Sequence, residues 1–241
     1  MNIIFCPVGT PIAFHDSYDK ENHWRFTKDN RRYQVAAYNY NDYKIEEGTY
    51  DYLIKDKGYK WEMAKHFLET FDYMDYEYIG FWDDDLVTDI QSINRGLEIA
   101  SKNEIKIWQL STIHGSDSTH KILHQEDMLS YSLTNFNEGM GLFLHYSLIP
   151  KLLQFYEIHE PKSGYGLDLI LSSIMKTECG VIHECSMFHP AKPSHYDKQQ
   201  AMYEMNLILG KIYPEYMKKV WNENVGPYQD NKKLYEITLK D

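Results

Sequence analysis

Tyr76-Glu77-Tyr78-Ile79-Gly80-Phe81-Trp82-Asp83-Asp84-Asp85-Leu86 is an apolar run that ends abruptly in three consecutive carboxylates. Tyr78, Ile79, Phe81 and Trp82 are β-branched or aromatic and flank a glycine, the pattern of a short strand buried on both faces by covering helices. Three acidic side chains at the end of such a strand repel one another and lose solvation unless a cation sits among them. Hard divalent ions such as Mg²⁺ and Mn²⁺ take carboxylate oxygens. In open α/β sheets the ligand crevice also lies beyond the carboxyl ends of the strands. The stretch therefore predicts a central strand with a metal or nucleotide site at its end. The alternative is a solvated turn, or a cap for the helix that begins near Asp89, because Asp is common at both.

The flanking sequence predicts an alternation of strand and helix. Downstream, Ile90, Ile93, Leu97 and Ala100 fit a helix over residues 89–101, and residues 105–110 fit the next strand. Upstream, Gly58-Tyr59-Lys60-Trp61 opens a helix with Trp61, Ala64, Phe67, Leu68 and Phe71 near one face. Lys60 lies in its first turn, where a cation is locally unfavourable, so it faces an anion such as a diphosphate or is simply solvated. Ile3 to Cys6 reads as a buried strand broken by Pro7-Val8-Gly9-Thr10-Pro11, a small-residue loop of the kind whose N–H groups meet a nucleotide phosphate or base. No GxGxxG or GxxxxGK[ST] follows, so neither a dinucleotide fingerprint nor a P-loop is present. Residues 14–32 read as a surface loop with a short helix. Residues 33–40 have strand character and end in Asn41-Asp42, where Asp42 either bonds a ribose or base or is a turn residue. Such alternation means a mainly parallel sheet with right-handed crossovers.

In the second half, residues 112–130 hold His114, His120 and His124 around Gly115-Ser116-Asp117-Ser118, a mobile acceptor-side loop without compact zinc-ligand spacing. Glu138 stands just before an apolar strand that contains Gly139 and Gly141, and Ser147 is placed to cap the helix carrying Leu148, Leu152, Leu153 and Phe155. In Ser163-Gly164-Tyr165-Gly166-Leu167-Asp168, Gly164 and Gly166 let the backbone approach a ligand closely. Asp168 projects from the start of an apolar helix over residues 169–175, as a helix cap, a functional carboxylate or both. A late strand over residues 180–189 ends at His189, as the earlier strand ends at the Asp cluster. From Tyr196 the pattern is helical, with Met202, Met205, Leu207 and Ile208, then Tyr213, Tyr216, Met217 and Trp221.

A chain of 241 residues with 43% hydrophobic content supports a real core, most simply as one domain over residues 1–225 with a loosely held tail over 226–241. Lys and Arg total 25 against 36 Asp and Glu, a formal charge of −11 that argues against unspecific nucleic-acid or anionic-membrane binding. Cys6, Cys179 and Cys185 form no CxxC pair, as expected of reduced thiols in the cytoplasm. Neither a signal peptide nor an apolar run near the ~20 residues of a spanning helix is evident, so a soluble cytoplasmic protein is expected. The 21 Tyr and five Trp offer ring faces for sugars and bases, but rings also fill cores.

The ordered set CPVG, a strand ending in YND, YKWxxAKxFL, YIGFWDDDL, FNEGMG, GYGLD and CSMFHP resembles a family of plant and bacterial proteins with a domain of unknown function, placed near the GT-A glycosyltransferases. The resemblance spans roughly residues 1–190. It implies a GT-A-like, Rossmann-type mixed and mainly parallel sheet flanked by helices, and a nucleotide-sugar-dependent transferase acting on a hydroxyl acceptor, a glycan, with inversion. Asp83 and Asp85 match the ends of the DxD motif, which holds a divalent metal, Mn²⁺ or Mg²⁺, against the donor's diphosphate. His189 matches a further metal ligand, and Asp168 the acidic residue that deprotonates the acceptor. On the same basis Pro7, Val8, Gly9, Thr10, Asp42, Lys60, Asp83 and Asp84 line the donor nucleotide. Glu138, Gly164, Tyr165 and Gly166 line the acceptor. Tyr165 departs from the Trp usual in that family, and His189-Pro190 replaces His-Lys. A metal-dependent nucleotidyl or phosphoryl transferase and a non-catalytic carbohydrate-binding protein are the alternatives.

Overall fold

In the computed structural model, residues 1–118, 120–191, 197–212 and 233–238 are described. In chain order the elements are β1 (Asn2–Val8), β2 (Gln34–Asn39), β3 (Tyr52–Lys55), α1 (Lys60–Thr70), β4 (Tyr78–Trp82), α2 (Ile90–Lys102) and β5 (Ile107–Thr112). They continue with β6 (Leu129–Thr134), β7 (Gly141–His145), α3 (Ile149–His159), α4 (Leu167–Met175), β8 (Cys179–Met187), α5 (Lys198–Ile212) and β9 (Lys233–Thr238). The described strands form one nine-stranded sheet in the order β3-β2-β1-β4-β7-β5-β8-β6-β9. Only β6 and β7 run against the other seven, which makes the sheet mixed and mainly parallel, as expected.

β4 is buried at all five positions, and alternate residues face opposite layers. Ile79 and Phe81 join Ile3 and Phe5 of β1 beneath α1, α3, α4 and α5, where Trp61, Phe67, Phe155, Leu171 and Met205 complete the cluster. Tyr78 and Trp82 join Ile4 and Cys6 on the other face, against Ile93, Leu97 and Ala100 of α2. Burying one such large apolar side chain contributes about 1.5–3 kcal/mol, so the two layers commit β4 to the centre. Gly80 is fixed by close approach, because a Cβ there would lie 2.8 Å from the Phe143 ring of β7.

Several local expectations need correction. Asp89, not the Asp cluster, caps α2, its side chain accepting from the Ser92 N–H at 2.7 Å. Ser147 does not cap α3: the helix starts at Ile149 with Pro150 in its first turn and no side-chain cap, while the Ser147 N–H donates to His145 Nδ1. The short helix expected within residues 14–32 is a single 3-10 turn at Lys20–Asn22. α5 buries Ala201, Met205, Ile208 and Leu209 but leaves Met202 and Leu207 exposed. Tyr213, Tyr216, Met217 and Trp221 lie outside the described residues, as does most of the expected tail, of which Lys233–Thr238 form the edge strand beside β6.

Candidate functional site

The strand order reverses beside β1. The chain moves from β1 outward through β2 and β3, then α1 carries it back to β4 on the other side of β1. The carboxyl ends of β1 and β4 flank this switch point, where open α/β sheets take their ligands. Gly9 and Thr10 follow β1 there, and Asp83 to Asp85 follow β4.

The three aspartates diverge. Asp84 turns back to β1, its Oδ2 accepting from the Gly9 N–H at 2.9 Å, the Thr10 N–H at 3.0 Å and the Thr10 hydroxyl at 2.8 Å. The loop amides that the sequence offers to a phosphate are thus held by the chain's own carboxylate. Asp83 receives the Lys60 ammonium at 2.7 Å, and the same ammonium donates to the Gly139 carbonyl at 2.6 Å. Burial raises the Asp83 carboxyl, Lys60 opposes that rise, and Asp85 adds to it. Asp85 Oδ1 lies 3.7 Å from His189 Nε2.

His189 reaches this place through backbone pairing. Val87 and Phe188 exchange N–H···O bonds of 2.9 and 2.8 Å, which fastens the segment after Asp85 to the segment before His189. The His189 Nδ1 bonds the Asp117 carbonyl at 2.8 Å, leaving Nε2 toward Asp85. Burial pulls the imidazole down, but the Asp85 carboxylate and the Asp117 carbonyl outweigh it and hold His189 at about 9. Asp83, Asp85 and His189 each bring one ligand atom into a group whose members lie within 4.8 Å of one another. Two hard carboxylate oxygens and an imidazole suit a divalent ion.

Glu138 lies beside this cluster, feeling the charges of Asp83 and His189, and Asp168 lies next to Glu138. The β4–β7 register sets Trp82 opposite Gly141, and the Asp83 N–H donates to the Met140 carbonyl at 2.9 Å, which draws Glu138 alongside. Burial, reinforced by Asp168, pushes the Glu138 carboxyl up to about 7. Its backbone N–H donates to Gln109 Oε1 at 2.6 Å, and the Ser118 hydroxyl reaches Glu138 Oε2 at 3.4 Å. Asp168 sits in the first turn of α4 behind Gly166, and its carboxyl accepts from the Leu169 N–H at 2.9 Å. Burial raises it to about 6.

Not every expected residue joins the group. Asp42 is exposed in a left-handed turn with φ 58° and lies 3.7 Å from the Lys55 ammonium at the surface. β2 instead sends Tyr40, whose ring packs on Gly9 and whose hydroxyl is raised to about 12 by burial and by Asp84, Asp83 and Asp85. Pro7 and Val8 do not belong to the loop: they are the last two residues of β1, both buried. Gly164 and Gly166 have φ of +80° and +89°, and Tyr165 packs partly buried against the core. Of the three histidines in residues 112–130, His120 is buried against the Phe136 ring at 4.3 Å and burial lowers it to about 4. Sequence reasoning missed Gln109 and Glu204, while Ser118 lies in the loop that reads as acceptor-side. A glutamine inside the apolar run Ile107-Trp108-Gln109-Leu110 was the available signal for the first, whereas Glu204 looks like any helix-surface acid.

Among solved structures, S. aureus TarS 1–349 in complex with UDP-GlcNAc superposes with a TM-score of 0.52 at 10% identity, over 88% of this chain and 66% of that one. Full S. aureus TarS gives 0.51 at 9% identity, over 88% of this chain and 39% of that one. The chain has the TarS fold. This chain spans about two-thirds of TarS 1–349 and about two-fifths of the whole of TarS. No family model matches the chain, and no curated protein matches it.

Proposed function

We propose that the protein is a metal-assisted glycosyltransferase that moves a sugar from a nucleotide-sugar donor to a hydroxyl acceptor, a glycan, with inversion. The observation that carries this is the Asp83, Asp85 and His189 group at the β1/β4 switch point, with the elevated carboxyl of Glu138 beside it and that of Asp168 next to Glu138. The TarS fold, which accommodates UDP-GlcNAc in TarS 1–349, supports a nucleotide-sugar donor.

In this reading Asp83, Asp85 and His189 hold the divalent ion. When bound, that ion supplies Lewis-acid stabilisation of the charge on the departing diphosphate. Lys60, beside Asp83, adds a second cation on the same side. Asp168 takes the proton of the acceptor hydroxyl as the acceptor oxygen bonds to the anomeric carbon. The bond from that carbon to the diphosphate oxygen breaks, and its electron pair leaves with the diphosphate. A base near 6 is ionised at neutral pH yet more basic than an ordinary aspartate, the balance general-base catalysis favours. Tyr165 and the Gly164–Gly166 turn contact the acceptor, and Tyr40 and the Gly9–Thr10 loop border the nucleoside.

The test is a calorimetric titration with UDP, GDP, CMP and dTDP, with and without Mn²⁺, on the wild-type protein and Asp85→Ala. Metal-dependent binding of one nucleotide, lost in the variant, is expected. Silence across the panel in both conditions sinks the donor site. Turnover of a nucleoside triphosphate with pyrophosphate release would move the assignment to nucleotidyl transfer.

A further inference from the structure

Glu204 of α5 sets one carboxylate against three consecutive backbone N–H groups. Lys162 and Ser163 donate at 3.1 Å and Gly164 at 3.2 Å. Successive amides converging on one anion form a nest, and bonds to a charged acceptor are roughly twice as strong as neutral ones. These amides open the turn that passes through Gly164 and Gly166 to Asp168.

The turn is wedged from two sides. A Cβ at Gly164 would fall 1.9 Å from the Trp61 indole nitrogen of α1, and one at Gly166 would fall 3.0 Å from the Met205 side chain, the residue after Glu204. Ser163 Oγ accepts the Tyr165 N–H at 3.2 Å inside the turn. Two glycines in the left-handed region give this segment many alternative backbone conformations, so something outside it must select one. Trp61 and Met205 limit where it goes. The Glu204 carboxylate is the group that holds its amides.

We propose that Glu204 is a positioning residue: by clamping the 162–164 amides it fixes the Gly164–Gly166 turn and thereby aims Asp168. The proposal rests on the reading of Asp168 as the base. It gives α5, which places no described ligand atom in the metal cluster, control over the chemical step without control over donor binding.

The experiment uses the full chain as wild type, Glu204→Ala, Glu204→Gln and the packing control Met205→Ala. Hydrogen exchange of residues 160–168, UDP affinity in Mn²⁺ and UDP-GlcNAc hydrolysis in Mn²⁺ are measured on each. In Glu204→Ala the 162–164 amides are expected to exchange about tenfold faster, with turnover about tenfold lower and UDP affinity within about twofold. Glu204→Gln, which keeps an acceptor oxygen, recovers part of both, and Met205→Ala leaves the three amides protected. Unchanged amide exchange in Glu204→Ala, or faster exchange with unchanged turnover, overturns the proposal. A wild-type protein that binds no UDP and hydrolyses no UDP-GlcNAc counts against a UDP-sugar donor instead. Titration of the Asp168 carboxyl by ¹³C NMR then decides the clamp alone, and an Asp168 pKa identical in wild type and Glu204→Ala overturns it.

Discussion

Burial raises the Asp168 carboxyl to about 6 although the N–H groups of Leu169, Asp168 and Gly166 stabilise its charge, and burial with Asp168 nearby raises Glu138 to about 7. A carboxyl whose folded pKa exceeds its unfolded one binds more protons in the native state between the two values. Stability therefore falls as pH rises from about 4 to about 6 for Asp168, and from about 4.5 to about 7 for Glu138, and stays reduced above. Asp168→Asn should accordingly be more stable than wild type at pH 8, by roughly 1–3 kcal/mol, with the gap closing near pH 3. Urea midpoints at the two pH values measure this. The same variant should lose ~10²- to 10⁴-fold in turnover. A variant that stays fully active removes Asp168 as base. The acidity of Asp83 to Asp85 was legible because three carboxylates close an apolar run. The opposite direction of Asp84 was not, since the turn geometry that sends it to Gly9 and Thr10 is set by β1, a strand 74 to 75 residues away.

At the scale of elements, the Asp84 clamp ties the loop after β1 to the end of β4. Asp84→Ala removes three hydrogen bonds and leaves two loop amides without that acceptor, so a loss of about 2–4 kcal/mol is expected. It should appear as a lower urea midpoint at an unchanged slope, and a midpoint equal to wild type would show that the loop needs no clamp. Gly164→Ala meets both a φ of +80° and the Trp61 indole, and should cost at least about 1–3 kcal/mol and shift the acceptor turn. Strands β1, β2, β4, β5, β7 and β8 and helices α1 and α2 could be read from apolar runs and helical spacing. β3 could not, because three of its four residues are exposed and its sequence lacks a buried face. β6 alternates Leu129, Tyr131 and Leu133 with Ser130, Ser132 and Thr134, but Ser132 and Thr134 are buried while Tyr131 and Leu133 are only half-buried, so its apolar pattern does not mark its buried face.

For the molecule as a whole, the sheet places all three metal-binding candidates just past the carboxyl ends of β4 and β8, while no helix among the described residues is long and apolar enough to cross a membrane. If the group takes Mn²⁺ in the folded form alone, stability should rise by about 2.7 kcal/mol at a hundredfold excess over Kd, read as a higher urea midpoint. Because His189 is held at about 9, an entering metal must displace its proton, so Mn²⁺ affinity should rise by up to about tenfold per pH unit between pH 6.5 and 8.5. A flat profile in calorimetry would remove His189 from the ligand set. GT-A-like topology was legible from strand-helix alternation and the resemblance together. The insertion of antiparallel β7 between β4 and β5 was not, because pairing partners across a sheet leave no mark on either strand's own pattern.

The Lys60 ammonium joins Asp83 and the Gly139 carbonyl at once, so it bridges the end of β4 and the segment that carries Glu138. A ligand that draws Lys60 from Asp83 also loosens its hold on Gly139, and by reciprocity an acceptor that moves Gly139 alters the donor's affinity by the same factor. The two affinities should then be coupled, so that the dissociation constant for UDP in calorimetry shifts when acceptor is present; an affinity that does not move with acceptor would show that the bridge couples nothing. Lys60→Met, which cuts the bridge, should abolish that shift.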